Sequence, residues 1–126
     1  MSDFDLKVRE QDGVIVLNTN GYLNNFGGEQ IASVCLQKIS EGKRKFLVNL
    51  EKTEMVNSIG VSILIEVIEE LQSVNGKIAY CNLVPIVEKT FNIMGISKYA
   101  KIHSNEEEGL LELSTIYECI QADLAK

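Results

Sequence analysis

The sequence predicts an α/β fold, a single domain on a mixed sheet of about five strands. Three observations predict it. Short apolar or alternating runs are separated by longer stretches with helical spacing, in the order β-β-α-β-α-β-α-β-α. The first two runs are joined by Asp12-Gly13, which tolerates the positive φ of a tight hairpin, so one strand pair is antiparallel. After that hairpin, strands and helices alternate, which favours parallel strands joined by right-handed crossovers.

Each element has its own warrant. Phe4, Leu6 and Val8 alternate with Asp5, Lys7 and Arg9, the period of a strand with one wet face. Val14 to Leu17 is an unbroken apolar run and reads as a buried strand. Asn18 to Gly28 holds four Asn and three Gly in eleven residues and reads as loop. From Glu29 to Ser40 the period lengthens: Ile31, Cys35 and Ile39 recur at i+4, so a helix is expected. Phe46 to Leu50 is a short apolar strand. Ser58 to Val74 is a strongly apolar helix, stopped by Asn75-Gly76. Ile78 to Cys81 is a strand, and Pro85 opens a helix that Gly95 ends. Tyr99 to His103 is a short strand. Ser104 with Glu107 resembles a capping box for a last helix from Asn105 to Leu124, so residues 1–126 form one domain whose final helix reaches the C-terminus.

Composition narrows the function. The 126 residues carry 18 acidic and 12 basic side chains, a net charge of −6. Binding to nucleic acid or to an anionic membrane rests on basic patches, so neither is expected. No window approaches the ~18 consecutive apolar residues of a membrane helix, and acid replaces base in the opening Met1-Ser2-Asp3-Phe4-Asp5. A cytoplasmic protein is expected. Cys35, Cys81 and Cys119 form no Cys-x-x-Cys and read as small buried hydrophobes.

Enzyme motifs are missing. There is no phosphate-binding loop, no G-x-G-x-x-G and no G-x-S-x-G. The single histidine, His103, has no second His or Cys at ligand spacing, so no metal site and no cofactor are expected. A phospho-receiver domain has a similar length but needs acidic strand ends, where this chain has Asn. The Glu106-Glu107-Glu108 run reads as favourable charge at the positive end of a helix macrodipole. The expectation is a protein without catalysis.

The informative stretch runs from Phe46 to Val61: a buried strand, a loop, then a helix start. Asn57 or Ser58 can cap that helix by accepting an orphan backbone N–H. Gly60 in its first turn costs up to ~1 kcal/mol against Ala in a helix interior, less near an end, so something is expected close to that backbone. On the helix, Ile63, Leu64, Val67, Ile68, Leu71 and Val74 share an inward face. Ile59, Val61 and Ile65 fall on its margins, as core or as the edge of a docking surface.

Four motifs carry a resemblance. Asn49-Leu50-Glu51 with Met55-Val56-Asn57-Ser58-Ile59-Gly60-Val61-Ser62 is similar to an Asp-Leu-Ser, loop, Met-Asp-Ser-Ser/Thr-Gly-Leu/Val-Gly pattern. Gly21-Tyr22-Leu23-Asn24 is similar to Gly-x-Leu-Asp. Gly76 to Asn82 matches a late Gly-Lys-Ile-Ala-Tyr-Cys-Asn strand, and Phe91 to Ile96 resembles Phe-x-x-x-Gly-Leu. In order and spacing, over Phe4 to Leu113, they resemble the STAS domain of bacterial anti-sigma-factor antagonists. The resemblance implies helices mainly on one face of the sheet, with the first hairpin strand at an edge. It implies a protein partner of the kinase-like anti-sigma-factor type, met through Asn24, Asn25, Asn57, Ser58, Ile59, Gly60 and Val61. It also implies a switch: the partner phosphorylates the hydroxyl residue before the motif glycine, and the added charge, about −1.5 to −2, breaks the interface.

This chain departs from that pattern. Ile59 stands before Gly60 and cannot be phosphorylated, and two acidic positions of the family are the amides Asn24 and Asn57. In one reading Ser58 takes over as acceptor, pointing elsewhere by ~100° on a helix start. In the other, favoured because neutral amides keep capping but lose charge, the domain binds its partner without the switch or serves a different partner. A structural STAS subunit that self-assembles, as a homodimer or within a signalling complex, is the alternative. Its last helix would serve assembly through Leu110, Leu113, Ile116, Tyr117 and Ile120. A small-ligand sensor is a third reading.

Overall fold

The structure, a computed structural model, describes residues 4–114. Its sheet has five strands in the order β1-β2-β3-β4-β5. β1 (Asp5–Gln11) and β2 (Val14–Asn20) form the antiparallel hairpin, with Asp12 and Gly13 both at positive φ in the turn. β3 (Lys45–Lys52), β4 (Lys77–Cys81) and β5 (Lys101–His103) follow in parallel. The mixed five-strand sheet and the edge position of β1 are as expected.

Strand side chains alternate between two layers. On one face, Ile15, Leu17, Phe46, Val48, Ile78 and Tyr80 pack under α1 (Asn25–Ser40), α2 (Ser58–Ser73) and α3 (Pro85–Met94). On the other, Val14, Val16, Leu47, Ala79 and Cys81 meet Leu110 and Leu113 of α4, which spans residues 106–114 within the described chain. Three helices on one face and one on the other is the layering that the resemblance implies.

Several boundaries moved. α1 begins at Asn25, not Glu29, and β2 runs on to Asn20, so only 21–24 remain as loop. The glycines that read as loop are in the helix because of packing. A Cβ on Gly27 would come within 2.9 Å of the Phe4 ring, and one on Gly28 within 3.1 Å of the Gly60 carbonyl oxygen. Before β5, a short 3₁₀ turn, Ile96–Lys98, shortens the expected strand to Lys101–His103. The cap of α4 lies one residue later than Ser104: Asn105 accepts from the Glu108 N–H at 2.9 Å, and Glu108 accepts from the Ser104 N–H at 3.1 Å. The expected course of the last helix from residue 115 to Leu124, with Ile116, Tyr117 and Ile120, lies outside the described residues.

Glu106 does more than face a macrodipole. Its carboxylate accepts from the Arg9 guanidinium, from Asn49 at 2.9 Å and, at longer range, from Asn18 at 3.5 Å. The bonds tie the first turn of α4 to the ends of β2 and β3. Burial pushes the carboxyl pKa up, but the hydrogen bonds from Asn49 and Arg9 and the charge of Arg9 outweigh it, leaving it lowered. Asn49 is also held: its Oδ1 accepts from the Glu51 N–H at 3.0 Å and from Asn82 at 3.2 Å.

Candidate functional site

α1 and α2 start side by side, and they start alike. Asn24 caps α1 by accepting from the Gly27 N–H at 3.1 Å. Asn57 caps α2 by accepting from the Gly60 N–H at 2.8 Å. Each cap is followed by a polar residue, an apolar residue and a glycine: Asn25-Phe26-Gly27 and Ser58-Ile59-Gly60. The amide oxygen three residues before the glycine satisfies an orphan donor of the first turn without a carboxylate. Neither first turn contains an acidic residue.

The loops that lead in are stitched together. The Leu23 N–H donates to Met55 O at 2.9 Å, the Asn57 N–H donates to Leu23 O at 3.1 Å, and Leu23 and Val56 form an isolated parallel bridge. Below them the Thr19 and Thr53 hydroxyls, both buried, lie 2.6 Å apart. Gly60 explains itself here. A Cβ at that position would come within 2.5 Å of Leu23 O and 2.8 Å of Asn24 O. The close neighbour that glycine anticipated is the chain's own loop.

The seven residues singled out from sequence therefore split into two layers. Ser58 and Ile59 are exposed and Asn24, Asn25 and Asn57 are half-buried. Gly60 and Val61 are buried and build the site from beneath. The three marginal positions of α2 also split: Val61 is core, Ile65 is half-buried, and Ile59 is 58% exposed. Ser58 Oγ makes no hydrogen bond among the described residues, where Asn57 does the capping.

Sequence reasoning missed three neighbours. Phe26 occupies on α1 the place that Ile59 occupies on α2 and is 57% exposed. Met55 is 58% and Tyr22 37% exposed, and the two share the wall of an open cleft of 630 Å³. The signal was present: Asn-x-apolar-Gly occurs at 24–27 and again at 57–60.

Cys35 and Cys81 are buried, and burial pushes both thiols up to about 12; for Cys81 the Glu106 and Glu51 carboxylates add to it. Among the described residues no group of His, Cys, Asp or Glu could hold a metal ion, and no helix is long and apolar enough to cross a membrane. His103 stands 3.6 Å from Glu112 of α4, which also pairs with Lys101 at 3.3 Å.

Comparison with known proteins agrees with this architecture. The profile of the STAS domain matches residues 5–109. BtrV of Bordetella bronchiseptica, provisionally described as an anti-sigma factor antagonist, is 23% identical over 104 residues, covering 82% of this chain and 90% of its own. The crystal structure of the Thermotoga maritima protein TM1081, provisionally described the same way, superposes with a TM-score of 0.79 at 18% identity, covering 86% of this chain and 93% of that one. The Bacillus anti-sigma factor antagonist SpoIIAA, solved without and with phosphate, gives TM-scores of 0.67 and 0.69 at 23% identity, over 86% of this chain and 94% and 98% of those chains. With its motifs at the paired helix starts and the profile spanning most of its length, the chain belongs to the STAS domain family and is an anti-sigma-factor-antagonist-like member of it.

Proposed function

We propose that this chain is a non-catalytic regulator that binds a kinase-like anti-sigma factor through the paired starts of α1 and α2, and that it does so without a phosphorylation switch. One observation carries the second half: at the position before Gly60, where the family motif has a hydroxyl, stands Ile59, 58% exposed on the surface. A side chain there can bury apolar area against a partner but cannot accept phosphate. The caps support the same reading. Asn24 and Asn57 hold the helix starts by hydrogen bonds alone and present no carboxylate beside that position.

Ser58 supports a rival reading, since it is exposed and its hydroxyl is free among the described residues. Mass spectrometry of the protein from its native cells, with Ser58→Ala as control, separates the two. No phosphate on Ser58 together with a stable complex is the expected result. Phosphate on Ser58 that vanishes in the control overturns the unswitched reading. The assembly alternative loses two of its residues: Leu110 and Leu113 pack on the sheet of their own chain.

A further inference from the structure

The apolar group at the helix starts has a frame, and the frame has a sign. Phe26, Ile59 and Met55 are each more than half exposed, with Tyr22 beside them. Scattered exposed hydrophobics are ordinary, but four converging on one pair of helix starts mark a contact surface. Around them stand carboxylates. Glu51 and Glu54 line the 630 Å³ cleft together with Met55. Glu29 follows Phe26 by three residues on α1, on the same side of the helix. Glu66 follows Ile59 by seven residues, two turns along α2. α2 has three acidic residues and no basic one. None of Glu29, Glu51, Glu54 or Glu66 has an ion-pair partner among the described residues, and Lys52 is the sole cation in this loop. Lys38, Lys43, Arg44 and Lys45 sit at the other end of α1, while Lys7 of β1 lines an adjoining pocket with Glu51 and Lys52.

Accepting that this face is the contact surface, we infer that its occupant is a different protein with an apolar seat ringed by lysine or arginine. A second copy of this chain fits poorly. About a two-fold axis the surface would meet itself, bringing Glu29, Glu54 and Glu66 toward their own mates, and like charges set against each other across an interface are costly. A basic rim satisfies all four acids at once. Because the acids surround rather than occupy the apolar centre, they act on encounter. Rim charges govern the association rate and its salt dependence, while the apolar anchors set the dissociation rate.

The test has two steps. A photo-crosslinking residue replaces Ile59, with one at Gln37 as control, and the partner trapped from native cells is purified. Its association rate is then measured at 50 and 500 mM NaCl with the native chain and with the triple variant Glu29→Gln, Glu54→Gln, Glu66→Gln. The expected result is a native rate that falls roughly tenfold with salt, and a variant roughly tenfold slower at low salt with little salt dependence left. Dissociation rates should match. A salt-independent native rate, a variant that binds as fast as the native chain, or a crosslink to a second copy of this chain overturns the inference. A trapped partner that is not kinase-like, yet shows the salt dependence, contradicts the proposed function and leaves the charge inference standing. No crosslink from residue 59 overturns both.

Discussion

Gly60 packs directly on the carbonyl of Leu23, so closely that a single methyl group would come within 2.5 Å of its oxygen. The neighbouring Asn24 oxygen would stand 2.8 Å away. Both obstacles are backbone, held by the hydrogen bonds that stitch residues 23 and 55–57 together. Gly60→Ala should therefore part the two helix starts and cost about 1–3 kcal/mol, the range for overpacking a closed site. Urea denaturation measures the loss, and amide shifts at Leu23 and Asn24 locate it.

Asn57 gives a prediction of opposite directions. Asn57→Ala removes the acceptor for the Gly60 N–H and should cost about 1 kcal/mol. Asn57→Asp keeps the acceptor and adds a negative charge at the positive end of α2, so it should retain stability or gain about 0.3–1 kcal/mol. Thermal melts of the two variants beside the native chain distinguish capping from charge.

Much of this was legible in the residues. The apolar and alternating runs showed the hairpin, the strands and α2, because burial on one face or two writes period and composition directly. The start of α1 was not legible. Gly27 and Gly28 look like loop composition, and only the approach of Phe4 and Gly60 reveals why a helix tolerates them. Of the residues expected to meet a partner, Ser58 and Ile59 are exposed but Gly60 and Val61 are buried, since a linear pattern does not say which residues lie underneath. Phe26 was missed because its equivalence to Ile59 depends on α1 beginning at Asn25.

Glu106 makes stability depend on acid in a defined direction. The fold lowers its pKa, so its contribution is complete above the ordinary Glu value, about 4.3, and is lost as pH falls from there through the lower folded value. Urea midpoints taken between pH 7 and pH 3 should fall more steeply for the native chain than for Glu106→Gln. Equal slopes would mean that the Arg9, Asn49 and Asn18 bonds do not favour the ionised form.

Tyr80 is fully buried in a T-shaped contact with Phe91, centroids 5.2 Å apart, and its hydroxyl has no hydrogen-bond partner among the described residues. An unsatisfied buried hydroxyl costs about 1–3 kcal/mol, so Tyr80→Phe should be neutral or should raise stability by about 1 kcal/mol. Calorimetry reads this directly, and a loss above 1 kcal/mol would reveal a partner for the hydroxyl.

The most direct measurement is the affinity of Ile59→Glu for the proposed partner, a kinase-like anti-sigma factor from the same cells, by titration calorimetry. The side chain is exposed, so folding stability should change by no more than about 0.5 kcal/mol. Binding should weaken at least tenfold, because a carboxylate would take the place of an apolar contact inside an acidic frame. Unchanged affinity with unchanged stability would contradict the account, since the paired helix starts would then lie outside the surface that meets the partner.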